Sequence, residues 1–210
     1  FFFGVYMLWQ LFLLLLFQMS VCREMTDAAM KYAHLGYPER KAKEQEIEAA
    51  VEQVINSVPM EYTEYEKIKY IYEYLVNNVQ YVEEAPDNQN IYSSLVGRKS
   101  VCAGYAKATQ YLLQQMDISC IYVTGEATSR DVTVPHAWNI VKCDGVYYYV
   151  DTTWADPLFG NNQDPNLNTH MVYDYLCCSS AMLSPTHTID QKYVYPICGI
   201  DNLNYYRLND

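Results

Sequence analysis

Positive charge is what this chain has least of: 14 lysines and arginines stand against 25 aspartates and glutamates, a net −11 over 210 residues. A phosphate-backbone partner needs a basic stripe, and none runs through the sequence, so nucleic acid is not an expected partner. Long-range steering would favour basic substrates instead. Histidines are few, at 34, 136, 170 and 187, and none stands at ligand spacing from another. The seven cysteines, at 22, 102, 120, 143, 177, 178 and 198, include no C-x-x-C pair. A structural zinc site is therefore not expected, and nothing in the pattern calls for a metal or another cofactor. The odd count leaves at least one thiol free, and a bond between the adjacent Cys177 and Cys178 would be strained.

Charge of either sign is missing from Phe1 to Cys22, whose densest part is Leu11-Phe12-Leu13-Leu14-Leu15-Leu16-Phe17. A run of that length either spans a bilayer or forms the apolar part of a secretion signal. The expectation is an extracytoplasmic protein, secreted or membrane-anchored through residues 1–22; the alternative is an apolar helix packed onto the domain. Half of all residues are apolar and 19% are charged, which is enough to build a sizeable core. The 22 tyrosines suit half-buried sheet surfaces and cleft walls. Three regions follow from the pattern: the apolar segment 1–22, a helical N-terminal extension 23–59, and the main domain 60–210.

From Glu39 the periodicity is helical. Ile47, Val51, Val54, Ile55 and Val58 make one apolar stripe that stops before Pro59. Thr63 and Glu66 have the spacing of a capping box, and Ile68, Ile71, Tyr72, Leu75 and Val79 line one face of the helix they open. A third helix is expected over 101–116, with Ser100 as its N-cap and Ala106, Thr109, Leu112, Leu113 and Met116 facing inward. Strand-like runs follow at 120–124, 137–142 and 146–150, the last two joined by Asp144-Gly145, a hairpin signal.

Cys102 opens the third helix, where free backbone N–H groups and the helix dipole favour an anionic sulfur. Arg98 and Lys99 would push the same way, and Gly104 would let a substrate backbone come close. An inert core thiol is the other reading of these features. The hairpin bears on the choice. With a two-residue turn at Asp144-Gly145, positions summing to 289 pair, so Trp138 lies opposite Asp151 and His136 lies diagonally beside it. Side chains alternate, so His136, Trp138 and Asp151 share one face. A carboxylate beside an imidazole orients it and stabilises its cation, as a general base requires. Nucleophile, base and orienting acid together are the logic of a Cys-His-Asp triad. Trp154 reads as core more readily than as cleft wall, Asn139 as structural, His170 and His187 as turn or surface residues, and Asp156 as turn chemistry before Pro157.

Three strings, Ser100-Val101-Cys102-Ala103-Gly104-Tyr105-Ala106, Pro135-His136-Ala137-Trp138-Asn139 and Tyr149-Val150-Asp151-Thr152-Thr153-Trp154, resemble the core motifs of the transglutaminase-like superfamily, in family order. The likeness is to bacterial extracytoplasmic members and is clearest over 63–157. It implies an α+β fold of papain-like, transglutaminase-core type, with N-terminal helices and the nucleophile helix packed on an antiparallel sheet. It implies Cys102 as nucleophile, His136 as base and Asp151 as orienting acid. Gln89-Asn90-Ile91-Tyr92 also resembles a segment upstream of the nucleophile, which makes Gln89 a candidate oxyanion donor beside the Cys102 N–H; a loop amide bonded to nearby backbone is the alternative. The implied activity is acyl transfer on a protein or peptide amide through a thioester, with hydrolysis favoured over transamidation (crosslinking). A non-catalytic surface or cell-wall binding module on the same fold is the rival from another class.

Overall fold

A computed structural model describes residues 36–156 and 171–208. The apolar segment 1–22 and His170 lie outside the described residues, and no helix among those described is long and apolar enough to cross a membrane. The chain divides into two compact units, Phe1–Glu46 and Ile47–Asp210. That boundary falls inside helix α1 (Tyr37–Asn56).

In the second unit, α1 turns Ile47, Val51 and Val54 into the core, as its stripe predicts. Helix α2 (Glu64–Asn78) begins at a capping box. The Thr63 side chain accepts the Glu66 N–H at 3.3 Å, and the Glu66 carboxylate accepts the Thr63 N–H at 2.8 Å. Ile68, Ile71, Tyr72 and Leu75 form its buried face. Strand β1 (Gln80–Tyr81) follows, then the short helix α3 (Ile91–Leu95), strand β2 (Lys99–Ser100) and helix α4 (Cys102–Gln114). Strands β1 and β2 run parallel and pair Tyr81 with Ser100, which brings Tyr81 beside the start of α4.

The main sheet is antiparallel, in the order β5-β4-β3-β6, from β3 (Cys120–Ser129), β4 (Val132–Cys143), β5 (Val146–Val150) and β6 (His187–Ile189). The β4–β5 register is the predicted one: Asn139 pairs with Val150 and Cys143 with Val146. Asp144 and Gly145 adopt φ of 48° and 86°, the left-handed pair that a two-residue I′ turn demands. Strands β3 and β4 are longer than their apolar runs suggested, because the pairing continues along mostly exposed residues as far as Ser129 and Val132.

Each face of this sheet is covered. Val141, Cys143, Tyr148 and Val150 pack with the buried side of α4 (Tyr105, Ala108, Leu112, Leu113) and with α2. The Asn139 amide donates to the Ala106 carbonyl at 3.0 Å and so ties α4 to β4. The opposite face holds Val123, Trp138, Ile140 and Tyr149, covered by Leu183 and Cys198 from the C-terminal segment. That segment runs along the outer edge of β5: Tyr149 and Cys178 exchange backbone hydrogen bonds at 2.9 and 3.0 Å, and the Asp151 N–H donates to the Tyr175 carbonyl at 3.1 Å. It then gives helix α5 (Ser180–Leu183), β6 and helix α6 (Tyr205–Leu208). Truncating a fully buried aliphatic such as Leu112 or Ile71 in such a core costs about 2–5 kcal/mol.

Candidate active site

Alternation puts His136, Trp138 and Asp151 on the sheet face away from α4, yet Cys102 opens that helix. The two meet because β5 stops at Val150. Opposite His136 the sheet continues only on the β3 side, where Gly125 is its partner. The β4–β5 pairing ends at Asn139 and Val150, and the Asp151 N–H bonds the Tyr175 carbonyl on the outer edge. The first residue of α4 comes up to the His136 ring at this end of the sheet, where the Cys102 side chain helps to favour the ring's charged form.

The three predicted side chains are thus brought together. His136 Nε2 lies 2.7 Å from Asp151 Oδ2, with both side chains almost wholly buried. Because Nε2 is committed to the carboxylate, Nδ1 is left for the sulfur. Burial of the ring opposes its charged form, but the Asp151 carboxylate outweighs that, with help from Cys102, and raises the imidazole to about 10. Burial likewise works against the Asp151 charge; His136 and then His187 overcome it and hold the carboxyl well below the usual range. These are two views of one buried ion pair.

Cys102 itself is half-buried, unlike the other five described cysteines, all buried and all free. Burial alone pushes Cys198 up to about 12, and burial with nearby acidic groups does the same to Cys143. Those thiols stay protonated and inert.

Some local expectations are corrected. Val101, not Ser100, is the N-cap of α4, and it makes no side-chain cap. Ser100 lies in β2 and turns its hydroxyl to the Asn88 carbonyl (2.7 Å) and to Ser93 (2.8 Å). Gly104 serves packing rather than substrate approach: a Cβ there would stand 1.8 Å from Ser100 Oγ and 2.8 Å from Ser94 Oγ. Arg98 directs its guanidinium to the Tyr74 hydroxyl and lies over that ring, 5.4 Å from its centroid. Asp156 is buried and accepts the Tyr105 hydroxyl at 3.3 Å. Trp154 is only partly buried and stands beside the site, 6.1 Å from the His136 ring and 4.7 Å from that of His187, so it walls the site rather than filling the core.

Two groups escaped the sequence reading. Tyr81 accepts the backbone N–H of Cys102 at its hydroxyl, and burial raises that phenol to about 12, so its proton stays in place. Gln89 lies in the exposed turn next to Asn88, whose carbonyl accepts the Val101 N–H at 2.9 Å. His187 is the second. Far from being a surface or turn residue, its side chain is fully buried on β6, with Nε2 3.1 Å from Asp151 Oδ2. Neither has a periodic signal, since each arrives through a two- or three-residue strand.

His136, Asp151 and His187 each bring a ligand atom within 4.8 Å of the others, the spacing a metal ion could use; Glu64, Cys143 and Asp144 form a second such group near the hairpin turn.

A solved structure of a TGase matches with 18% identity over 61% of this chain and 37% of its own, at a TM-score of 0.45. A candidate cysteine protease from Cytophaga hutchinsonii matches with 21% identity over 55% of this chain and 39% of its own, at a TM-score of 0.44. Menin, solved to reveal its binding site for the Mixed Lineage Leukemia protein, matches at 20% identity over 66% and 29%, with a TM-score of 0.37. The chain spans less than two fifths of each of these structures. No curated protein gives a significant match. The sequence model of the transglutaminase-like superfamily matches residues 48–152, half of the chain, and Cys102, His136 and Asp151 all fall inside that stretch; the chain belongs to this superfamily.

Proposed function

We propose that the protein catalyses cysteine-dependent acyl transfer on a protein or peptide amide and completes it by hydrolysis. The observation that carries this reading is the buried His136–Asp151 pair, 2.7 Å apart, with the Cys102 side chain close enough to help hold the ring's charge. An imidazole with one nitrogen fixed on a carboxylate and the other facing a half-exposed sulfur is equipped to pass a proton back and forth.

In the first half-reaction Cys102 Sγ, paired with a His136 ring that already holds its proton, bonds to the carbonyl carbon as the C=O π electrons move to oxygen. The carbonyl oxygen becomes an oxyanion beside the Cys102 N–H, with the Tyr81 hydroxyl as second donor. The C–N bond then breaks as His136 gives that proton to the leaving nitrogen, which departs as an amine and leaves a thioester. In the second half-reaction water adds to the thioester while His136 takes its proton. Collapse breaks the C–S bond, releases the carboxylic acid and returns Cys102 and the protonated His136 ring to their starting pair. Asp151 holds the ring in its productive tautomer throughout and stabilises the imidazolium.

Mass spectrometry of a peptide library incubated with the full chain, beside Cys102→Ala, tests the reading. New peptide termini made only by the unsubstituted protein are the expected result. Deamidated glutamine or incorporated amine would assign transamidase chemistry to the same site. An unmodified library would leave a binding module as the correct description.

A further inference from the structure

The Asp151 carboxylate is full. Its Oδ1 accepts the backbone N–H of Thr153 at 2.9 Å and of Trp154 at 3.1 Å, while Oδ2 accepts His136 at 2.7 Å and His187 at 3.1 Å. A carboxylate offers about four acceptor positions, and here each has a donor. The backbone donors come from the turn that Asp151 itself begins and would survive most substitutions. His187 comes from β6, which is remote in sequence, and it is held there deliberately by packing. A Cβ on Gly125 would stand 2.1 Å from the Thr188 carbonyl and 2.7 Å from the Trp138 ring, so glycine is what lets β6 lie this close. The His187 ring is enclosed by Trp138 (5.1 Å between centroids), Trp154 (4.7 Å) and Tyr175 (5.7 Å), and its Nδ1 lies 2.8 Å from Thr186 Oγ1.

We propose that His187 is a positioning residue of the acyl-transfer site: its Nε2–H anchors Oδ2 of Asp151 so that the carboxylate cannot swing away from His136. This rests on the reading of the Cys102-His136-Asp151 array as catalytic. An ionised carboxylate only accepts, so His187 must present Nε2–H to it, while Nδ1 lies 2.8 Å from the Thr186 hydroxyl, which also donates to the Leu183 carbonyl at 3.2 Å. With one oxygen tied by two imidazoles and the other by two amides, rotation of the carboxylate breaks several bonds at once. Remove His187, and Oδ2 is held by His136 alone.

The test compares His187→Leu, which fills the space without a donor, with His187→Gln, whose amide places an N–H near the position of Nε2. The readout is the second-order rate of Cys102 alkylation by iodoacetamide, measured on the full chain with thermal melting as a check on folding. Alkylation needs no substrate, so an error about the natural reaction leaves this result intact, and an inert peptide library leaves it interpretable. The expected outcome is a slowing of about 10- to 100-fold for Leu, the range seen when an outer-shell partner is lost, with Gln within about threefold of the unsubstituted protein. Equal rates for Leu and Gln would overturn the proposal and leave His187 as packing. Should the Leu variant fail to fold, the unsubstituted protein still decides: long-range ¹⁵N–¹H correlation must show His187 protonated at Nε2, and a bare Nε2 sinks the idea. Stoichiometric Zn²⁺ binding that both substitutions abolish would also overturn it, since the cluster would then be a metal site.

Discussion

Two helices of this molecule begin in opposite ways. Helix α2 is closed: Thr63 and Glu66 satisfy each other's backbone donors reciprocally. Helix α4 is open, with Val101 at its cap position offering no side-chain acceptor. The serine that would ordinarily fill that role, Ser100, is drawn off by Asn88 and Ser93. A helix start leaves its first backbone donors unsatisfied, and a cap contributes about 1 kcal/mol by occupying them. At α2 that stability is taken. At α4 it is forgone, and the Cys102 N–H instead meets the Tyr81 hydroxyl, at the place where the proposed substrate oxyanion would sit. The closed start belongs to the scaffold, and the open one lies where the proposed chemistry would take place.

The contrast breaks most visibly at Asp151. Asp151→Asn should lower kcat on the order of 10⁴-fold, because the amide offers the wrong partner to His136 and the ring loses its tautomer. The same variant changes the alkaline limb of stability. The His136 imidazole titrates near 10 in the folded protein, above its ordinary value of 6.5. Its contribution to stability is whole below about pH 6.5 and fades as pH rises toward 10. Melting temperature should therefore fall across that window in the unsubstituted protein and stay nearly flat in Asp151→Asn. An equal fall in both would show that His136 is not the group responsible. Next in size is Tyr81→Phe, which keeps the ring and removes the hydroxyl at the Cys102 N–H. Loss of one oxyanion donor costs about 10²-fold in kcat, with KM little changed. Unchanged kcat would return the second donor's role to Gln89 or to solvent.

How much of this was legible beforehand follows from how each part is held. The β4–β5 hairpin could be read because Asp144-Gly145 fixes the turn, the turn fixes the register, and alternation then places His136 beside Asp151. The α2 start could be read because both halves of its capping box lie within four residues. What failed was long-range. Nothing near Ser100 announces that Asn88 will claim its hydroxyl, and nothing near His187 announces a carboxylate 36 residues upstream. Helix α4 was expected against the sheet, and it is there, but on the face opposite His136; contact depends on β5 ending at Val150, a boundary that alternation does not supply. Short strands such as β1 and β6 carry no period at all, and they deliver Tyr81 and His187.

The smallest effect isolates the closed start. Thr63→Ala should destabilise the protein by about 1 kcal/mol and leave the iodoacetamide rate of Cys102 untouched, since it removes a cap and nothing at the site. Its pH dependence runs opposite to that of His136. Hydrogen bonds from the Thr63 backbone and side chain lower the Glu66 carboxyl below its usual 4.5, so this contribution is present above that value and is lost as pH falls through the lowered one. The difference in melting temperature between the unsubstituted protein and Thr63→Ala should thus be constant at neutral pH and shrink in acid. If it persisted undiminished well below pH 4, the Thr63 hydroxyl alone would be the cap and the reciprocal bond from Glu66 would add nothing. If the alkylation rate moved as well, the two helix starts would be coupled, and the separation of scaffold from chemistry drawn from them would be wrong.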